Sequence, residues 1–101
     1  MFSELEKDAH YKTRFEYPDM PTTCRAGQYT DFGNVVMSGV VGSIFSRFVV
    51  VPALPEGLQL NVQTGRITGT PKLRTPKQEY KVTGLNARIS NSTTISFEVT
   101  D

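Results

Sequence analysis

The sequence predicts an all-β sandwich, and three observations predict it. Period-two alternation recurs: Phe15 and Tyr17 oppose Arg14 and Glu16, while Ile95, Phe97 and Val99 oppose Ser96, Glu98 and Thr100. Turn residues interrupt these runs about every ten positions, the rhythm of short strands in a sandwich or barrel. Beyond residue 13 no helical period competes with them. The expectation is about seven strands in two layers over 13–101, behind an N-terminal tail or short helix at 1–12.

A chain of 101 residues, with 38% hydrophobic and 21% charged side chains, is one ordinary globular domain. That length buries roughly two thirds of the unfolded surface, enough for a core without a metal or disulfide. Cys24 is the single cysteine, so no internal disulfide forms. Eleven basic and ten acidic side chains leave a net charge of +1, too little to draw in nucleic acid or an anionic membrane. The N-terminus has no apolar h-region, and no apolar run approaches the roughly 18 residues of a membrane span.

In chain order, Ser3 and Glu6 fit a capping box, and Phe2, Leu5 and Ala9 share a helical face. A helix so short needs a surface to dock on, so a frayed tail fits equally well. "TRFEY" and "NVVM" supply short strands, and "SGVVGS" a turn. "SIFSRFVVV" is a β-branched and aromatic run that stops at Pro52, where a ladder donor is lost. "PKLRTPKQ" at 71–78 is an exposed connection, "QEYKV" places Tyr80 and Val82 together, and "STTISFEVTD" closes the domain. "YPDMP" and "TPKLRTP" place prolines where they would guard sheet edges.

Turn chemistry is densest in "LPEGLQLNVQTGRITGTP", residues 54–71. Pro55 presets φ for a turn that ends at Gly57. Leu58, Leu60 and Val62 alternate as a strand, Thr64-Gly65 reverses it, and Ile67 returns to meet the leucines. Gly69 permits a close bend, and Thr70-Pro71 forces an extended exit. The segment is a compact corner capping one end of a core.

This corner resembles the immunoglobulin-like domain family whose signature runs LPxGLxLxxxTGxIxGTP. Leu54, Pro55, Gly57, Leu58, Leu60, Thr64, Gly65, Ile67, Gly69, Thr70 and Pro71 match as they stand. "FVVVPA" upstream, then Tyr80, Val82, Asn86 and the closing Val-Thr-Asp, extend the likeness over 13–101. The resemblance implies an immunoglobulin- or cadherin-like sandwich. It also implies a non-catalytic module, commonly one of a tandem, in larger surface or adhesion proteins. Its partners would be proteins or neighbouring domains of the same chain, and no nucleic acid. An extracellular or cell-surface location follows from the likeness, although the missing h-region and disulfide fit an intracellular one too.

One departure from the family is Asn61, where many relatives carry Asp. Asp8, Asp19, Asp31 and Asp101 are scattered with no Asp-x-Asp run, whereas calcium needs several converging oxygens. No cofactor and no calcium site are expected of this domain alone; Asp101 would join an interdomain site only in a longer protein.

Catalytic groups are sparse. His10 is the single histidine and lies in the polar tail, which leaves no Ser-His or Cys-His pair and no zinc set. Cys24 beside Arg25 is either a reactive thiol or a small, partly buried loop residue, and the second is the plainer reading. Glu16, Glu79 and Glu98 fall on outward strand faces, not on a cleft suited to glycoside hydrolysis. Gly39, Gly42 and Ser43 lack the Lys-Ser/Thr ending of a phosphate loop. Lys72, Arg74 and Lys77 form a solvated basic loop. Asn91 opens an Asn-Ser-Thr glycosylation sequon at a hairpin, relevant if the chain is exported. Tyr11, Tyr29 and Phe32 lie outside the clearest core runs, and either pack or present an aromatic surface. The expected function is a non-catalytic interaction or spacer module. The alternative is a carbohydrate-binding accessory module of a secreted enzyme, which would show two or three coplanar exposed aromatic rings.

Overall fold

The alternation of apolar and polar residues becomes a set of strands, most of them with one buried face. In the computed structural model, which describes residues 14–38 and 45–101, there is no helix among the described residues. The strands are β1 (Arg14–Glu16), β2 (Thr23–Arg25), β3 (Thr30–Asp31), β4 (Val36–Ser38), β5 (Arg47–Val51), β6 (Leu58–Leu60), β7 (Ile67–Gly69), β8 (Thr75–Leu85) and β9 (Ser90–Thr100). The tail or helix at 1–12, with His10 and Tyr11, and most of the turn holding Gly39, Gly42 and Ser43 lie outside the described residues.

One sheet has the order β2-β9-β8-β5, a second β3-β7-β6, and β1 pairs with β4. Nine strands are found among the described residues where about seven were expected, because β2 and β3, at three and two residues, are too short to show a period in the sequence. "YPDMP" separates β1 from β2, since prolines cannot donate to a ladder. Gly33, at φ +87°, separates β3 from β4. β2 runs parallel to the end of β9 (Cys24 opposite Val99), and the remaining pairs are antiparallel.

The two layers meet through aromatic rings. Phe97 on β9 packs edge-on against Phe32, just beyond β3, at 4.9 Å, and stacks on Tyr80 of β8 at 4.9 Å. A second group joins Phe15 edge-on to Phe48 at 5.2 Å and to Phe45 at 5.5 Å. Edge-to-face rings gain beyond their buried area. Leu58, Ile67, Val82, Ile95 and Val99 complete the same core. Gly84 makes room for it: a Cβ there would come within 2.9 Å of the Phe45 ring.

Two sequence expectations need correction. Residues 71–78 are not one exposed connection. β8 already begins at Thr75, with a register shift between Thr75 and Gln78 that absorbs Pro76, and Pro71 is fully buried. Val62 does not extend β6; it is half exposed in the following turn. Asn91 lies within β9 opposite Gly84, close to the turn of the β8–β9 hairpin. That turn is built by Asn86, whose Oδ1 accepts the Arg88 and Ile89 amides at 2.8 and 3.0 Å.

Candidate functional site

The corner at 54–71 is organised by its backbone. The Leu58 amide donates to the Pro55 carbonyl at 3.1 Å, closing the turn that brings Gly57 to φ +100°. β6 then pairs with β7, Leu60 opposite Ile67 and Leu58 opposite Gly69. Leu58 and Ile67 are buried and Leu60 is partly so. Between them Asn61 builds the reversal: its Oδ1 accepts the Gln63 and Thr64 amides at 2.9 and 3.1 Å, and its carbonyl accepts the Gly65 amide at 2.7 Å. Only an acceptor is needed at Oδ1, so this turn uses a chemistry that Asn and Asp share.

Close backbone contact holds the corner shut. The Thr70 amide donates to the Gly57 carbonyl at 3.0 Å and the Lys72 amide to the Glu56 carbonyl at 3.0 Å. Leu54 packs against the core, and the Pro71 carbonyl accepts the Gly27 amide at 2.8 Å. The corner is also tied to distant chain. The Phe48 amide donates to the Val62 carbonyl at 2.8 Å, and the buried Tyr17 hydroxyl donates to the Gly65 carbonyl at 2.5 Å. Burial pushes the Tyr17 phenol far above its ordinary value, which keeps it a donor at all physiological pH.

Beside the corner, Arg66 grips Asp31 with two parallel hydrogen bonds, the Nε one at 3.0 Å, and its Nη1 reaches Asn34 Oδ1 at 3.4 Å. Those bonds, first, and the Gly33 amide, second, hold the Asp31 carboxyl below its ordinary value. A carboxyl depressed in the fold stabilises it above the unfolded value, and that contribution is lost as pH falls through the folded one. The pair is solvent-exposed, so salt weakens it. The melting difference between the wild type and Asp31→Asn is therefore expected to close as pH drops below about 4, read from thermal melts. A difference independent of pH contradicts the assignment.

The chemistry weighed in the sequence finds no pairing here. Cys24 is a buried strand residue, not a loop one, and burial pushes its thiol up, the opposite of an activated nucleophile. No cluster of His, Cys, Asp or Glu that could hold a metal occurs among the described residues. Glu16 and Glu79 are exposed and Glu98 partly so, on three different strands. Lys72, Arg74 and Lys77 are exposed, with Lys72 Nζ 3.8 Å from Glu56 Oε2.

A polar, open cavity of about 610 Å³ lies between β1 and β9, lined by Arg14, Phe15, Glu16, Ser38, Asn91, Ser92 and Thr93. Its lining has one carboxylate and neither His nor Cys, which is short of an acid–base pair. Half-buried Asn91 faces this cavity, with its Oδ1 accepting the Ser92 amide at 2.8 Å. Of the two described aromatics that the sequence left open, Phe32 is buried completely, whereas Tyr29 is 64% exposed. The Tyr17–Gly65 and Asp31–Arg66 contacts had no sequence signal, because each joins residues far apart in the chain.

Comparison with known proteins agrees with this geometry. The profile of a family described as "Putative Ig domain" matches residues 21–100. Among solved structures, a chain described as a "putative alpha-galactosidase" from Bacteroides fragilis superposes with a TM-score of 0.65 at 18% identity. The match covers 86% of the present chain and 17% of that one, so it shows a shared fold with a small part of a larger protein. No curated protein matches the sequence significantly.

Proposed function

Because the chain belongs to the family described as "Putative Ig domain", we propose that it is a non-catalytic spacer and interaction module of a larger, multidomain surface or adhesion protein. The observation that carries this is the direction of the chain. β1 lies beside Asn91–Thr93 at the start of β9, and β2 runs parallel to Glu98–Thr100 at its end. The first described strand therefore lies near one end of β9 and Asp101 at the other. An in-line path of this kind lets successive modules extend as a rod, with contacts made through strand edges and end loops.

The path has a measurable length. Nine residues of β-strand separate the level of Ser92 from Asp101, about 30 Å at ~3.3 Å per residue. Spin labels on cysteines placed at Glu16 and Asp101, in a Cys24→Ala background, are expected to report about 30 Å by double electron–electron resonance. A distance below about 20 Å would place both ends together and remove the rod geometry.

A second reading, an accessory module of a glycan-processing enzyme, is supported by the likeness to 17% of the Bacteroides fragilis chain. The aromatic platform that reading calls for is not found among the described residues, where seven of eight Phe and Tyr rings are buried and Tyr29 alone stands out.

A further inference from the structure

β2 and β9 form the one parallel pair among the described strands. They lie in register, with Thr23 opposite Glu98 and Arg25 opposite Thr100. Backbone bonds close both ends of the patch. The Glu98 amide donates to the Thr22 carbonyl at 3.2 Å, and the Ala26 amide to the Thr100 carbonyl at 2.7 Å. The Thr100 hydroxyl adds a bond to the Cys24 carbonyl at 3.3 Å. Between these bonds the buried side chain of Cys24 fixes β2 in the core.

A pull on the two ends of the chain acts on this patch in shear. From the N-terminal side it reaches β2 at Thr22 and draws that strand towards the level of Asn91–Thr93, where β1 lies. The opposite pull reaches β9 through Asp101, just beyond the strand's other end. Parallel strands drawn apart in this way slide along one another, so every bond between them is strained at once. A hairpin pulled open from its free ends instead loses its bonds one by one. β1 does not share this position. It pairs with β4, outside the four-stranded sheet, so slipping it off β4 lengthens the lead-in and leaves β2 on β9. From this we infer that residues 22–26 and 98–100 form a mechanical clamp, whose rupture sets the rate at which the module unfolds under tension. The inference rests on the spacer reading and deepens it by naming what resists stretching.

The test is single-molecule stretching of the whole chain between handles at its two ends, read as the unfolding rate at one fixed load. Ala26→Pro removes the amide that bonds Thr100 and should raise that rate at least about tenfold. Thr100→Val keeps the side-chain shape, removes the hydroxyl bond to Cys24 and should raise it about threefold. Val82→Ala empties part of the core on β8, outside the clamp. It should lower the melting temperature yet change the loaded rate by less than about twofold, because the core is still packed when the clamp gives way. Loaded rates of Ala26→Pro and Thr100→Val equal to the wild type overturn the inference. So does a Val82→Ala rate raised as far as theirs. If Ala26→Pro does not fold, the comparison of Thr100→Val with Val82→Ala decides. Failure of the clamp alongside a spin-label distance near about 30 Å leaves the spacer reading standing, whereas a short distance removes that reading whatever the response to load.

Discussion

Phe97→Ala is expected to lower stability by about 3–5 kcal/mol, the range for emptying a large aromatic from a packed core. Phe97 is 1% exposed and lies on β9, a central strand of its sheet. Its ring touches Phe32 from the opposite layer edge-on and stacks on Tyr80. Removing it leaves a void on the seam between the layers, where neither backbone can collapse without breaking a ladder. A melting temperature lower by at least about 12 °C follows for a domain of this size. By contrast Val51→Ala, at a side chain 65% exposed, should stay within about 0.5 kcal/mol. Equal effects of the two substitutions would mean that Phe97 is not at the seam.

Gly69→Ala is expected to cost about 3 kcal/mol or more, from backbone strain and forced contact acting together. Gly69 has φ +140°, and a Cβ there would sit 2.1 Å from the Gly57 carbonyl oxygen. Gly57 reciprocates, since its own Cβ would sit 1.9 Å from the Thr70 oxygen. Backbone on both sides cannot yield as a side chain tip can. Gly27 is the internal control: φ is +83°, but a Cβ would meet nothing within 4 Å. Gly27→Ala therefore carries strain alone, about 1 kcal/mol. Denaturant melts of the two variants separate close approach from simple dihedral preference, and similar midpoints would contradict the contact.

These two sites also mark what was legible in the sequence. Phe97, Tyr80 and Val82 announce themselves because alternation is a local pattern, and a half-buried strand has no other way to be written. Gly57, Gly65 and Gly69 were legible as turn positions for the same reason, although which carbonyl each approaches was not. Phe32 escaped because β3 is two residues long, too short to show a period. Pro71 misled: proline in a polar run reads as exposed, yet the fold closes over it at the corner. At the candidate site, Tyr29 and Phe32 looked alike in sequence, and only the packing of the opposite sheet separates the buried ring from the bare one. Asp31 and Arg66 meet across 35 residues and Tyr17 and Gly65 across 48. A single sequence carries no trace of such pairs.

The account rests on the corner being an integral wall of the sandwich, and native-state hydrogen exchange measures that directly. The amides of Gly65, Thr70 and Phe48, bonded to Asn61, Gly57 and Val62, should exchange only on global unfolding, with the same free energy as the central amides of β8 and β9. Exchange of these three at the rate of open chain, while β8 and β9 stay protected, would show residues 54–71 to be a loose flap and would contradict it.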